Sequence, residues 1–170
     1  MRFISDQEKE LAEGYIDEAK KLARQATCER AQCGAVIVSA ADVIGRGFNS
    51  PPGNDEKERR CGVRKNEYDP KVTDKTCCMH AEQRAVMDAL RHRPEKLEGS
   101  KLYFARFYPD GRQRIVGGKI QLYCTVCTKM MYEAGIAEFI LPHQGGICAY
   151  PMDEYLDRSF EYGSWQERSV

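Results

Sequence analysis

The sequence predicts an α/β fold built on a single mixed sheet. Helical and strand periodicities alternate along the 170 residues, which is the pattern of helices packed on a sheet. An apolar, β-branched run, CGAVIVS at 33–39, is followed closely by VIGRGFN at 43–49, so the sheet contains a hairpin and is not purely parallel. No repeat or low-complexity stretch divides the chain, and its length suits one domain.

The elements follow in order. Residues 6–27 place Leu11, Tyr15, Ala19, Leu22 and Ala26 at steps of three and four, predicting an amphipathic helix with Asp6 as its N-cap. The two strands 33–39 and 43–49 come next, joined by Ala-Ala-Asp. Residues 50–79 are polar, carry Pro and Gly, and lack a period, so they form a long loop. Residues 80–92 are helical, with Ala81, Ala85, Val86, Ala89 and Leu90 on the buried side. KLYFARFY at 101–108 is a strand, PDG turns it, and 112–122 return as strand or loop. A short helix at 125–135 ends at Gly135, a strand covers 136–141, and a C-terminal tail at 145–170 holds a short helix at 152–160.

Composition restricts function. Lys+Arg and Asp+Glu both number 26, so the chain lacks the basic surplus of a dedicated nucleic-acid binder. No apolar run approaches the ~18 residues of a membrane span, and MRFISDQEKE has no signal-peptide core. A cytoplasmic protein with reduced thiols is expected. Clustered cysteines in that setting point to metal or redox chemistry, and there are eight.

The chemistry concentrates in two places. His80, one of three histidines, stands two residues before Glu82 at a helix start, and Cys124 and Cys127 stand three apart at another. Alone, a histidine there is an ordinary cap or surface residue, and a lone CxxC also fits a redox pair. Together the three supply the ligand count of a catalytic zinc, which keeps one position open; a structural zinc is closed by four. Glu82 then lies near that open position without binding the ion. His-x-Glu joined to Cys-x-x-Cys matches the signature of zinc nucleobase deaminases apart from one residue.

On the residues CGAVIV (33–38), GFNSPPG (47–53), HAE (80–82) and YCTVC (123–127), the chain resembles the cytidine deaminase superfamily, in the branch of CMP/dCMP zinc-binding deaminases. The resemblance runs over about residues 6–145. It implies a three-layer α/β/α sandwich on a five-stranded mixed sheet, with Zn2+ held by His80, Cys124 and Cys127 and Glu82 as general acid/base. It further implies that Asn49 and the Ala81 backbone hold the substrate. The chain departs from the family with Tyr123 where Pro is usual, with Gln83-Arg84 after HAE, and with residues 108–122 interposed before the second motif.

The implied substrate is a cytosine nucleotide such as dCMP or CMP, and the implied assembly is a homo-oligomer. The basic residues Lys57, Arg59, Arg60, Arg64 and Lys65 are candidates for phosphate contact, since Arg and Lys suit phosphate. Cys61, Cys77, Cys78 and His92, with Cys28 and Cys33 as further donors, are candidates for a second, structural ion; the alternative is reduced thiols packed as small apolar groups. Two other functions compete. A deaminase of tRNA or single-stranded DNA needs an aromatic channel, for which Tyr103, Phe104, Phe107, Tyr108, Tyr155, Phe160, Tyr162 and Trp165 are available. A non-catalytic zinc module would leave Glu82 without a role.

Overall fold

The computed structural model describes residues 1–117 and 124–161. In chain order the elements are β1 (Arg2–Phe3), α1 (Asp6–Ala23), β2 (Gln32–Ser39), β3 (Asp42–Phe48), α2 (Ala81–His92), β4 (Lys101–Phe107), α3 (Thr125–Glu133), β5 (Glu138–His143), β6 (Gly146–Pro151) and α4 (Met152–Phe160). They build one mixed sheet in the order β1-β6-β5-β4-β2-β3. Only β4 and β5 run parallel; the other neighbours are antiparallel.

The sheet has six strands, not the expected five. Part of what reads as a tail is β6, which pairs with β5 through a tight turn at Gln144-Gly145. Its ICAY alternates too briefly to announce a strand. The two-residue β1 then pairs with β6 and forms the edge of the sheet.

Helix α1 covers one face of the sheet and packs on Val36, Val38, Tyr103, Ala105 and Ile140. Helices α2, α3 and α4 contribute to the core on the other face. Helix α1 buries Ala12, Ile16, Ala19 and Ala23, while Leu11 is 63 % exposed. The buried face is therefore rotated by about one residue from the predicted stripe. Gly34 explains the rotation: a Cβ there would stand 2.0 Å from the Ala19 carbonyl oxygen, so helix backbone lies directly on strand backbone. Only a face of small residues allows that approach. Helix α2 sits on β3 in the same way, with Gly47 under Ala81 and Gly45 under Ala85. Leu90, expected inside, faces solvent.

The hairpin turn is Ala40-Ala41, both with positive φ (47° and 68°). A two-residue hairpin loop requires that geometry, and alanine adopts it at a cost. The 50–79 loop is ordered by short 3-10 turns at 52–54, 56–58 and 65–67. Its ends are tied together: the Met79 N–H donates to the Ser50 carbonyl at 3.0 Å. Beyond β4 the chain turns at Tyr108–Gly111, and Arg114 N–H donates back to the Arg106 carbonyl. Val116 then bridges to His143 of β5, so 112–117 is an extended connection and not a full strand. Tyr123, Tyr162 and Trp165 lie outside the described residues, as do residues 118–122.

Candidate active site

The site lies where α2 and α3 begin. His80 is the N-cap of α2, and Cys124 is the N-cap of α3. Gln83 fixes the first of these ends, because its side-chain oxygen accepts the His80 N–H at 2.9 Å. That gives the unusual residue after HAE a local role. Helix α3 joins the parallel strands β4 and β5, which brings its N-terminus to the carboxyl end of β4, where open α/β sheets place ligands.

These two helix starts bring together the residues that the sequence separates by 44 positions. His80 Nδ1 is 3.0 Å from Cys127 Sγ and 3.4 Å from Cys124 Sγ. All three donor atoms lie within 4.8 Å of one another. Two sulfurs and one imidazole nitrogen, at two helix N-termini that favour thiolate, make a donor set suited to zinc.

The metal-free protonation pattern follows from this crowding. The hydrogen bond from Cys127 brings the Cys124 thiol down to about 4, against burial and with help from His80. The hydrogen bond to Cys124 raises His80 to about 9, opposed by burial and assisted by the charges of Glu82 and Cys124. Cys127 is pushed far up by its bond to Cys124 and by burial.

Glu82 is on the first turn of α2 and only 8 % exposed. Burial raises its pKa, partly offset by His80. A carboxyl held in that state can both take and return a proton. Beside it opens a cavity of about 230 Å3, walled in part by His80, Ala81, Glu82, Asn49 and Phe104.

The other sequence candidates fall on both sides of the expectation. Asn49 lines the cavity, yet its side chain is also used structurally: Oδ1 accepts the Cys33 N–H at 2.7 Å and Nδ2 donates to the Ala31 carbonyl at 2.8 Å. Ala81 is fully buried at the first helical position, where backbone N–H groups lack helical partners. The five basic loop residues do not line the cavity. Arg59 pairs with Glu56, Arg60 with Glu58 and Arg64 with Glu67, while Lys57 and Lys65 are exposed. Carboxylates three or fewer residues away thus take the charge of the three arginines.

Cys61, Cys77 and Cys78 do come together, with sulfurs within 4.8 Å of one another. A thiol hydrogen bond links Cys78 to Cys28, which makes a quartet. His92 is not part of it. It sits at the opposite end of α2 and is held by Asp88. Cys33 is a buried thiol whose charged form is disfavoured, chiefly by desolvation. Arg59 Nη1 donates to Cys61 Sγ at 3.4 Å, and the Arg60 N–H donates to Cys77 Sγ at 2.9 Å. Burial pushes the Cys61 thiol up, but hydrogen bonds from Cys77, Arg59 and Cys78 bring it below its ordinary value. The quartet also lines the cavity, on the loop side. Of the aromatics available for a nucleic-acid channel, Tyr103, Phe104 and Tyr155 are buried.

The cavity therefore has the plan of a hydrolytic zinc centre: three protein donors, an adjacent buried acid and room for a small ring. The family model "cytidine and deoxycytidylate deaminase zinc-binding region" matches residues 9–142. The chain belongs to that family of zinc-dependent deaminases, and His80, Cys124 and Cys127 form a cluster that could hold the ion. Among solved structures it is similar to the dCMP deaminase of cyanophage S-TIM5. To the complex with dCMP and dUMP the identity is 20%, with a TM-score of 0.57, covering 91% of this chain and 93% of that one. To the apo form the identity is 19% and the TM-score 0.55, with the same coverage. No curated protein sequence matches the chain. Among the described residues, no helix is long and apolar enough to cross a membrane.

Proposed function

We propose that the protein hydrolytically deaminates a cytosine nucleotide of the dCMP or CMP type, releasing ammonia and the uracil nucleotide. The observation that carries this is Glu82, buried in the cavity wall beside the His80–Cys124–Cys127 cluster. Zinc held by that cluster would supply a water activated at neutral pH. Glu82 would take one proton from that water as its oxygen bonds to C4 and pass it to N3. It would then take the second proton, from the new C4 hydroxyl, and pass it to the amine, so that the C4–N bond breaks, NH3 leaves and a C4 carbonyl remains. The Ala81 N–H and the free hydrogen-bonding capacity of Asn49 hold the ring in place.

The cysteine quartet is proposed to hold a second, closed zinc, because four thiols complete the ligand count of a structural site. The chain is further proposed to act as a homo-oligomer in the cytoplasm.

The test is a panel of cytosine, deoxycytidine, CMP, dCMP and a cytosine-containing single strand, with products read by mass spectrometry. Conversion of a mononucleotide is expected. Conversion of the strand alone would replace the nucleotide reading with nucleic-acid editing. With Glu82→Gln, bound zinc should remain while turnover falls by about 100-fold or more. Turnover near the wild-type rate in that variant would remove Glu82 from its role.

A further inference from the structure

None of the five basic residues that the sequence offers for phosphate contact lines the cavity, yet its wall does contain two arginines. These are Arg30 and Arg106. Antiparallel pairing of β2 with β4 places the start of one strand beside the end of the other, with Cys33 opposite Arg106. Arg30 precedes β2 by two residues, so both arginines belong to the same end of the sheet. Along β4, Leu102 and Phe104 lie in the core beneath α2 and α3, while Tyr103 and Ala105 face α1. Alternation puts Arg106 on the α2 face, in the cavity with Glu82.

The two guanidiniums differ in their partners. Arg30 is anchored at the rim, where Nη2 donates to the Cys61 carbonyl at 3.3 Å. That bond leaves most of its donors unused. Arg106 is half-buried, and among the described residues its guanidinium has no hydrogen-bond or ion-pair partner. Its charge is felt by Glu82 across the cavity, but its donors are unused in a partly desolvated place, and an incoming anion would take them. A third arginine, Arg114, lies close by with its guanidinium over the Tyr108 ring. The formal net charge of the chain is zero, so positive charge here is local.

We propose that Arg106 and Arg30 are the specificity residues of this cavity, taking the phosphate of a mononucleotide substrate between them. The proposal rests on the deaminase reading for its substrate, but its binding component can be measured without turnover. Guanidinium forks suit a phosphate with two or three free oxygens better than a neutral sugar hydroxyl.

The experiment compares kcat/KM for dCMP with that for deoxycytidine in the zinc-loaded wild type and in Arg106→Ala, Arg106→Lys and Arg30→Ala. Alongside, calorimetry measures binding of dUMP and deoxyuridine to the same proteins. The wild type should prefer the phosphorylated member of each pair. That preference should fall by about tenfold or more in Arg106→Ala and in Arg30→Ala, since a charged hydrogen bond carries roughly that factor. Arg106→Lys should recover part of it. Arg30→Ala, at the rim, serves as the second test if Arg106→Ala folds poorly.

An unchanged preference in well-folded variants overturns the proposal, even if overall activity drops, because that drop would be structural. Equal wild-type use of dCMP and deoxycytidine also overturns it while leaving the deaminase reading intact. If no cytosine compound is converted but the dUMP preference exists and disappears in the arginine variants, the deaminase reading fails and the phosphate site stands. If the strand binds and reacts in preference to the mononucleotide, the phosphate recognised belongs to a nucleic acid, and the mononucleotide assignment is lost.

Discussion

The proton inventory at the metal cluster has a measurable consequence. Without metal, His80 titrates at about 9 and Cys127 far above neutrality, so both carry protons at neutral pH, while Cys124 at about 4 does not. A metal ion must displace the two protons that are present, because only deprotonated sulfur and neutral imidazole bind it. Zinc uptake should therefore release more than one proton. Apparent affinity should weaken as pH falls through the neutral range, because acid favours the protonated apo form. Zinc titration by calorimetry in buffers of different ionisation enthalpy counts these protons. Release of none would show that the cluster is already a full set of thiolates and neutral imidazole.

Among the elements, the β2–β3 hairpin carries a local cost that a substitution can remove. Ala40 and Ala41 both occupy the left-handed region, where an L side chain costs roughly 1–2 kcal/mol relative to its preferred regions. Ala41→Gly should stabilise the protein by about 1 kcal/mol, read as a higher denaturant midpoint at unchanged slope. A lower midpoint would mean that the methyl group contributes packing that outweighs the strain. The 50–79 loop makes the opposite case. Its turns are short and it buries little, so the thiol quartet is its main internal tie. The protein should bind two zinc ions per chain. Cys77→Ser should bring that count to one and expose the loop to proteolysis between its ends, with α2 and the sheet resisting. A count of one in the wild type would reduce the quartet to packed thiols.

At the scale of the molecule, assembly is the open variable. Leu11, Leu90, Val126, Tyr132 and Phe160 expose apolar side chains. Sedimentation at several concentrations should show a species larger than 19.4 kDa. A monomer throughout would remove the oligomer from the proposal. Most of the architecture was legible in the sequence, because helices and strands with clear periodicity announced themselves, and the zinc motifs carry their own geometry. What was missed has physical causes. Strand β6 spans six residues, and both of its ends, Gly146 and Pro151, are turn residues that leave only ICAY to alternate. The face of α1 was set by Gly34, a residue in another element, and no period within the helix reports that contact. The phosphate candidates were sought where basic residues are dense. Local carboxylates pair with the arginines of that run, which lies away from the cavity, whereas Arg30 and Arg106 stand alone in sequence and meet only through strand pairing.

The bond between Met79 and Ser50 means that the long loop departs from and returns to nearly the same point. The loop is therefore a cassette. Its entry and exit are fixed by the framework, and doubling its length would add only about 0.6 kcal/mol of closure cost. Because its cysteines line the cavity, the same cassette helps shape what can enter. Exchange of residues 51–78 for a segment of different length and charge would thus reshape one wall of the cavity while the sheet, the helix starts, the acid beside them and the arginines at the sheet end stay in place. One wall of the site can be rewritten in a single contiguous stretch of the gene, separately from the chemistry and from the guanidiniums opposite.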